Sequence, residues 1–304
     1  MYNIELGKSG LLVPTVAVGC MRISDMSEKQ ISDFIETALE NGANFFDHAD
    51  IYGGGKSEIV FGNAIKGKPR EDFIIQTKCG IVPGKMFDFS YEHIVSSVEG
   101  SLKRLGTDYI DVLLLHRPDA LVEPEEVARA FDTLKSSGKV KHFGVSNQNP
   151  YQIKLLQKYL DMPIVANQLQ LSIMHASMIN EGINVNMYND SAINRDGGVL
   201  DFCRLENITI QPWSPMQYGF FEGCFVDCEK FPELNAVLEK LAKKYNVSKT
   251  TISIAWLLRH PAKMQVVTGT TNTTRLKDSF KASEILLSRE EWYEIYKAAG
   301  NILP

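Results

Sequence analysis

The chain has 304 residues with 44% hydrophobic content, and its formal net charge is −5 at pH 7. This length and composition suffice for one large hydrophobic core, such as that of an α/β barrel of about 250 residues or more, and do not require two domains. Positive and negative residues are interspersed, without the lysine and arginine blocks that follow a phosphate backbone, which argues against a nucleic-acid partner.

The cysteines and histidines form no recognisable ligand pattern. The five cysteines, Cys20, Cys79, Cys203, Cys224 and Cys228, contain no CxxC pair, and the six histidines contain no HExxH spacing. We therefore predict neither a disulfide framework nor a metal site, and we interpret Cys20 and Cys79 as packing residues rather than redox-active thiols. The N-terminal MYNIELGKSG lacks a basic region followed by an apolar one, and no apolar run approaches the roughly 18 residues of a membrane span. We expect a cytoplasmic protein without membrane contact.

One alternating pattern of segments repeats along the chain after a predicted N-terminal hairpin. Short runs rich in β-branched and aromatic residues alternate with amphipathic segments of helical period. The predicted strands lie at 15–19, 44–48, 73–78, 109–116, 140–146, 164–168, 208–213 and 264–269, and the predicted helices near 27–41, 57–66, 90–105, 124–137, 150–159 and 231–245.

Segment 27–41 shows why these assignments are made. Ser27 is an N-cap residue, Gly42 is placed to end the helix, and one face carries apolar residues at Ile31, Phe34, Ile35, Ala38 and Leu39. Nearly apolar strands, each followed by such a helix, indicate a parallel sheet covered by helices.

Eight strand–helix units predict a closed (β/α)8 TIM barrel over residues 1–304, a single domain of the α/β class. The N-terminal β-hairpin would cap the bottom of this barrel, and long loops would cover its C-terminal face. An open doubly wound sheet can also hold eight strands and is the structural alternative. Segment 171–206 is poorly periodic, so we predict a long insertion over the site.

Four reactive side chains follow the predicted strands. Asp47 and Tyr52 come after the second strand, Lys78 ends the third and His116 ends the fourth. Each has an ordinary interpretation alone: a helix cap, a loop aromatic, a solvated strand tip and a turn histidine. Because the carboxyl ends of barrel strands meet at one face, these matching positions on three adjacent strands predict a common site.

Proton donation to a carbonyl oxygen suits these four groups. A free tyrosine has a pKa of about 10, and a nearby lysine ammonium is expected to lower it by stabilising the tyrosinate. Asp47 would keep Lys78 charged and oriented, and a neutral His116 would donate a hydrogen bond to the carbonyl. The set contains no hydride source, so a cofactor must provide one.

The later strand ends suit such a cofactor. Ser146, Asn147 and Gln168 can bind a carboxamide, and Trp213 can stack on a nicotinamide ring. Gly269 and the threonines after it lead into a helix that carries Arg275, a pattern typical of a phosphate site in barrels. The glycines at 53–55 lack GxGxxG spacing and are interpreted as a turn.

These motifs resemble the aldo-keto reductase family over essentially the whole chain, in the bacterial branch of aldo/keto reductase-type oxidoreductases. The matching stretches, in order, are FFDHADIYGGGKSE, IIQTK, DVLLLHRPD, KVKHFGVSN, NQLQLS, QPWSP and GTTNTTRL. The resemblance implies a barrel that reduces aldehydes or ketones with NADPH and carries a catalytic set of Tyr52, Asp47, Lys78 and His116. The cofactor contacts that it implies are Gly19, Met21, Arg22, Asp47, Ser146, Asn147, Gln168, Trp213, Ser214, Pro215, Met216, Gly269, Thr270, Thr271, Arg275 and Ser279.

Two positions depart from the family pattern. Gly269 stands where some members have a lysine, and Ser279 stands where many have an asparagine for the adenine. Arg275 still favours NADPH/NADP+, and NADH is an alternative. The expected partner is a small carbonyl compound, with a monomer or weak oligomer as the assembly. Aromatic residues would line the cleft: Phe87, Phe89, Trp213, Tyr218, Phe220 and Phe221.

Besides binding of a protein partner by segment 171–206, with the reductase activity incidental, two other functions are compatible with the same residues. One is an NADPH-binding redox-sensing or interaction module with little catalysis. The other is an aldolase-type barrel in which Lys78 forms a Schiff base with the substrate.

Overall fold

The structure is a computed structural model and describes residues 1–303. Its strands are β1 (Asn3–Glu5), β2 (Leu12–Pro14), β3 (Val16–Gly19), β4 (Phe45–Asp47), β5 (Ile74–Cys79), β6 (Ile81–Val82), β7 (Met86–Phe87), β8 (Ile110–Leu115), β9 (Val140–Ser146), β10 (Ile164–Gln170), β11 (Thr209–Trp213), β12 (Gln217–Tyr218), β13 (Gly223–Cys224) and β14 (Val266–Thr268). Its helices are α1 (Glu28–Glu40), α2 (Lys56–Ile65), α3 (Tyr91–Leu105), α4 (Pro124–Ser136), α5 (Pro150–Gln157), α6 (Ser177–Ile183), α7 (Val199–Glu206), α8 (Pro232–Tyr245), α9 (Lys249–Leu258), α10 (Thr273–Lys281) and α11 (Arg289–Ala298).

Eight strands form one parallel sheet in which sequence neighbours are also spatial neighbours, in the order β3, β4, β5, β8, β9, β10, β11 with β14 beside β3. The backbone amide of Gln265, next to β14, donates to the carbonyl of Ile210 in β11 at 3.1 Å and joins the two ends. A doubly wound sheet reverses its strand order at a switch point, whereas this order never reverses. The predicted TIM barrel is therefore confirmed.

Helix α1 begins at the cap that the sequence predicts, and a glycine ends α3. The Ser27 side chain accepts from the Gln30 amide in a capping box at the start of α1, and the α1 face that contains Phe34 and Ile35 is buried. Gly106 ends α3 with a φ of 65°, a left-handed conformation that glycine adopts without steric cost. Among the described residues, no helix is long and apolar enough to cross a membrane.

The period-two alternation of strand side chains separates two layers of core. Ile75 of β5 packs outward among helix residues such as Phe34, whereas Ile74 packs with Phe45 and Val165 inside the lower barrel. On the same inward face, Gln76 and then Lys78 follow Ile74 toward the C-terminal end. The barrel interior thus changes from apolar to polar along its axis.

The N-terminal hairpin closes the bottom of the barrel, as predicted. Strands β1 and β2 pair antiparallel, and Leu6 and Val13 are fully buried in the lower core. The Gly7 amide donates to the Thr209 hydroxyl at 2.8 Å, at the start of β11. A side chain at Gly7 would bring its Cβ within 2.4 Å of the Val165 carbonyl oxygen, so this close approach requires glycine.

The prediction for segment 171–206 was wrong. The segment forms α6 and α7, and α7 is the barrel helix between β10 and β11, with Val199, Phe202 and Cys203 buried. No residue of 171–206 lines the cleft at the C-terminal face. An exposed, asparagine-rich stretch at 184–196 separates the two short helices. It interrupts the helical periodicity of the apolar residues, so the sequence did not reveal the helices. The loop that reaches the cleft follows β11 and contains the β12–β13 hairpin.

Candidate active site

A cleft of about 850 Å³ opens at the C-terminal ends of the barrel strands. The structure brings together in its lining every site residue predicted from the sequence except Lys78, which is buried beneath it: Gly19, Met21, Arg22, Asp47, Tyr52, His116, Ser146, Asn147, Gln168, Trp213, Ser214, Pro215, Met216, Gly269, Thr270, Thr271, Arg275 and Ser279. Residues from all eight barrel strands or the loops after them therefore surround one cavity.

Lys78 and Asp47 form a buried ion pair at the floor of the cleft. The ammonium of Lys78 lies 2.8 Å from each carboxylate oxygen of Asp47 and donates to the His48 carbonyl at 2.6 Å. Burial alone lowers the pKa of Lys78, but the charge of Asp47 and the contact with Tyr52 outweigh it and leave that pKa raised. Lys78 is therefore a charged ammonium.

Tyr52 points to this ion pair from a tight turn. Gly53 and Gly54 follow it with φ of 59° and 65°, which explains the glycine run in the sequence. The Lys78 ammonium donates to the Tyr52 hydroxyl at 3.2 Å. Burial nevertheless raises the pKa of Tyr52 above its usual 10.0, and Lys78 only reduces that rise. The sequence-based expectation of a lowered pKa was wrong because it neglected desolvation of the phenolate.

His116 lies beside the tyrosine, with the two ring centroids 6.0 Å apart in an edge-on arrangement. Burial, together with the positive charges of Lys78 and Arg117, holds the pKa of His116 well below its usual 6.5. The imidazole is therefore neutral, as predicted. Its Nδ1 is buried without a hydrogen-bond partner, and one of its ring nitrogens can carry the proton that a neutral imidazole donates.

A network of buried glutamines supports Asp47 from inside the barrel, and the sequence analysis missed three of its members. Gln76 donates to the Asp47 carboxylate at 2.6 Å and exchanges hydrogen bonds with Gln211. Gln211 also donates to Gln265 at 2.8 Å, and Gln168 donates to Asp47 at 3.1 Å. The alternation of residues in β5 places Gln76 inward beside Lys78, a signal that could have revealed it.

The carboxamide-binding candidates form a hydrogen-bonded chain. The Trp213 indole donates to the Asn147 side-chain oxygen at 3.3 Å, and the Asn147 amide donates to the Ser146 hydroxyl at 2.7 Å. The Ser146 hydroxyl donates to the Gln168 carbonyl at 2.9 Å. Asn147 has a φ of 57°, which turns the chain at the strand end and directs its side chain toward the tryptophan.

The opposite end of the cleft suits a phosphate group. Arg22 donates to the Gly269 carbonyl at 3.0 Å, and the Asn272 side chain caps the amino end of α10 by accepting from the Arg275 amide. Together with the Thr270 hydroxyl, two guanidinium groups and a helix amino end form a donor set typical of phosphate binding. A dinucleotide with a nicotinamide at one end and a phosphate at the other fits these residues.

The aromatic lining differs from the prediction. Trp213 and Phe221 line the cleft, with ring centroids 5.8 Å apart and planes at 25°. Phe89 is buried in the core against Gly80, and Phe87, Tyr218 and Phe220 lie outside the lining. The cleft therefore has one aromatic wall rather than a continuous aromatic surface.

The cysteines near the cleft floor behave as packing residues. Cys20 and Cys79 are buried free thiols, and burial raises the pKa of each well above its usual 9.0. Protonated thiols react slowly with oxidants, so their position favours a structural role. Within residues 1–303, no cluster of three histidine, cysteine or carboxylate side chains could hold a metal ion.

Comparison with known proteins agrees with this geometry. Residues 15–299 match the sequence model described as the Aldo/keto reductase family. The chain belongs to this family. It is 35% identical over 316 residues to a 6-dehydroglucose reductase of Agrobacterium fabrum (strain C58), covering 98% of both chains. It is 36% identical over 313 residues to the oxidoreductase YdhF of Escherichia coli (strain K12), again covering 98% of both.

Solved structures give the same result for this aldo/keto reductase. The crystal structure of the thermostable aldo-keto reductase Tm1743, in complex with the inhibitor epalrestat, superposes with a TM-score of 0.78 at 29% identity, covering 98% of this chain and 100% of the other. The chain is accordingly an NAD(P)H-dependent oxidoreductase that acts on carbonyl compounds.

Proposed function

We propose that this aldo/keto reductase, a single catalytic domain over residues 1–304, reduces aldehydes and ketones with NADPH and uses Tyr52 as the general acid. One observation carries the proposal: the Tyr52 hydroxyl lies in the cleft 3.2 Å from a buried, charged Lys78. When bound, NADPH would supply the hydride for the carbonyl carbon. The tyrosine hydroxyl gives its proton to the carbonyl oxygen, which completes the alcohol.

The surrounding residues assist this proton transfer in three ways. The ammonium of Lys78 stabilises the phenolate that remains on Tyr52, in a buried place where charge interactions are strong. Asp47 keeps Lys78 charged and holds it in place with both carboxylate oxygens. Neutral His116 donates a hydrogen bond that orients and polarises the substrate carbonyl.

The proposed preference for NADPH depends on the phosphate end of the cleft. Arg275 has no carboxylate within 4.0 Å among residues 1–303, so its charge is available for the additional phosphate of NADPH. Ser279 offers the adenine no free donor, because its hydroxyl already donates to the Arg275 carbonyl at 2.9 Å. NADH stays an alternative because Gly269 contributes no charge at the position where some members of the family have a lysine.

The state of Lys78 argues against a Schiff-base aldolase. That chemistry requires a neutral amine, whereas Lys78 donates to Asp47, to the His48 carbonyl and to Tyr52 and has a raised pKa. A module that only binds NADPH would not require Tyr52, the proposed proton donor, to contact the Lys78 ammonium inside the cleft. Cytoplasmic location and a monomeric or weakly oligomeric state stay predictions from the sequence.

Nucleotide titration combined with one aldehyde tests the proposed function. NADPH and NADH are titrated separately while tryptophan fluorescence is followed, and benzaldehyde-dependent consumption of NADPH is then measured. Tighter binding of NADPH than NADH, with aldehyde-dependent consumption, supports the proposal. Failure to bind either nucleotide rejects it, and covalent trapping of a ketose phosphate on Lys78 by borohydride supports the aldolase alternative.

A further inference from the structure

Arg117 is a cation at the cleft that the reaction described above does not use. It follows His116 directly at the end of β8, and it lines the cleft. Its guanidinium carbon lies 5.8 Å from the centre of the Trp213 ring. Arg117 is neither fully buried nor fully exposed, so its charged group is partly withdrawn from water at the edge of the reacting region.

The other partly buried arginines of this chain have hydrogen-bond acceptors: Arg259 donates to the Leu287 carbonyl at 2.7 Å, and the remaining two pair with carboxylates. Arg70 is 2.8 Å from Asp111 and Arg104 is 2.7 Å from Glu58, and both carboxylates are buried. Arg117 has no carboxylate within 4.0 Å and no hydrogen-bond acceptor among residues 1–303. Withdrawing a guanidinium partly from water without giving it an acceptor costs free energy. An anionic ligand that accepts its hydrogen bonds offsets this cost.

The position of Arg117 separates it from the phosphate end of the cleft. In the strand order of the barrel, β8 and β14 lie four strands apart in either direction, so Arg117 and Arg275 arise on opposite sides. Arg22 lies on the side of Arg275, because it donates to Gly269 after β14. Arg117 instead shares its strand end with His116, which is on the side where the substrate carbonyl is expected.

The charges around the reacting region leave Arg117 without compensation. Asp47 is neutralised by Lys78 at 2.8 Å, and Asp227 of the cleft lining is ion-paired with Lys249. The positive charge of Arg117 therefore attracts anions to this end of the cleft. Phe221, stacked on Trp213, adds an aromatic surface to the lining of the same cleft.

We propose that Arg117 binds an anionic group of the substrate, and that the preferred substrates are aldehydes or ketones that also carry a carboxylate. This inference rests on the proposed reductase function and names the substrate class of the same site. The planar guanidinium can donate two parallel hydrogen bonds to a carboxylate while the carbonyl lies between Tyr52 and His116. Phe221 offers a surface for the apolar part of the molecule, while Trp213 stays with the nicotinamide.

A matched pair of aldehydes tests this proposal. Steady-state kcat and KM are measured with NADPH for meta- and para-carboxybenzaldehyde and for their methyl esters, in which a methyl group caps the carboxylate and removes its charge. Of the two acids, we expect the one with the higher kcat/KM to exceed its own ester in kcat/KM by about tenfold or more. A hydrogen bond to a charged group contributes at least the free energy that corresponds to a tenfold change. The advantage should reside mainly in KM and should shrink as ionic strength rises.

Three variants assign this preference to Arg117. Arg117→Met should reduce the acid-to-ester ratio to about one, and Arg117→Lys should retain part of it because the charge remains. Arg129→Met removes a cation from the exposed face of α4, outside the cleft, and should keep the wild-type ratio. This control distinguishes local binding from the net charge of the protein.

The results that contradict the inference are distinct from those that contradict the function. Reduction of the esters with no preference for the acids, or a preference that survives in Arg117→Met, overturns the role of Arg117 and leaves the reductase in place. A loss of NADPH affinity in Arg117→Met as large as the loss of acid preference assigns Arg117 to the cofactor and also overturns the inference. Binding of NADPH without reduction of any aldehyde overturns the proposed function instead.

Discussion

The ammonium of Lys78 lies 2.8 Å from both carboxylate oxygens of Asp47, and the Lys78 side chain is fully buried. Neither charge could be tolerated alone at this depth, because a buried ion loses its hydration. The pair is positioned by the parallel register of β4 and β5 and presents one cation to Tyr52.

Replacing Tyr52 with phenylalanine removes the proposed proton donor and little else. We expect Tyr52→Phe to lower kcat for benzaldehyde reduction by about 10²–10⁴-fold, the usual contribution of a general acid, while the dissociation constant for NADPH changes little. Tyr151→Phe, on the exposed surface of α5, is the matched control and should behave as wild type. Turnover near the wild-type rate in Tyr52→Phe would remove Tyr52 from the mechanism.

The ion pair predicts a difference between single and double variants. Asp47→Leu leaves the Lys78 ammonium buried without its partner and should lower the free energy of unfolding by about 3–5 kcal/mol. Asp47→Leu combined with Lys78→Met removes both charges and should recover most of that loss without recovering activity. Urea denaturation measures both proteins. A double variant no more stable than the single one would show that the stability loss arises from packing.

Arg275 should control discrimination between the two nucleotides. Arg275→Met is expected to raise the dissociation constant for NADPH by about tenfold or more and to leave that for NADH nearly unchanged, since only NADPH carries the additional phosphate. Lys277→Met removes an exposed cation from the same helix and is the control. Equal losses for both nucleotides would assign Arg275 to a phosphate that they share.

Gln76 is expected to affect catalysis through Asp47. Gln76→Met removes the 2.6 Å hydrogen bond to the Asp47 carboxylate and both hydrogen bonds with Gln211, whose side chain keeps its bond to Gln265. The free energy of unfolding should fall by about 1–3 kcal/mol, the cost of an unsatisfied buried polar group, and kcat should fall with little change in KM. A substantial rise in KM with unchanged kcat would mean that the network acts on substrate binding instead.

Asp50 predicts a pH dependence of stability. Burial and the nearby Glu58 raise the pKa of Asp50 from 3.8 to about 7. The folded protein therefore binds more protons than the unfolded chain between these values, so the contribution of Asp50 to the free energy of unfolding falls as pH rises through this window.

Asp50→Asn lacks this titration and should be more stable than wild type above pH 7, by up to about 4 kcal/mol. The difference should disappear near pH 4. Thermal unfolding across this range measures it, and a constant difference at all pH values would show that Asp50 does not titrate in the window.

The sequence predicted the barrel because apolar strand segments alternate clearly with amphipathic helical segments, and this alternation repeats in successive units. All eight barrel strands were placed to within about two residues at their ends, the usual uncertainty for boundaries. Helix α9 was missed because seven of its ten residues are buried, so it has no polar face. Helices α6 and α7 were missed because both are short and a nonperiodic stretch separates them.

The candidate site was predictable where it lies at strand ends and unpredictable where it depends on loops or desolvation. Asp47, Tyr52 and His116 meet because parallel strands share one direction. The position of Phe221 depends on the fold of the long loop after β11, which has no simple period. The raised pKa of Tyr52 depends on burial by residues from many parts of the chain, and a local sequence pattern cannot predict that burial.

Closure of the barrel by β14 also has a consequence for synthesis. Val16 in β3 pairs with Val266 in β14, so the first barrel strand obtains one of its two neighbours from nearly the opposite end of the chain. As the ribosome releases the polypeptide from its N-terminus, that edge of β3 lacks its partner until almost everything has emerged. An unpaired edge can pair with another nascent chain, so the β3 edge is a site of possible aggregation until β14 has paired with it.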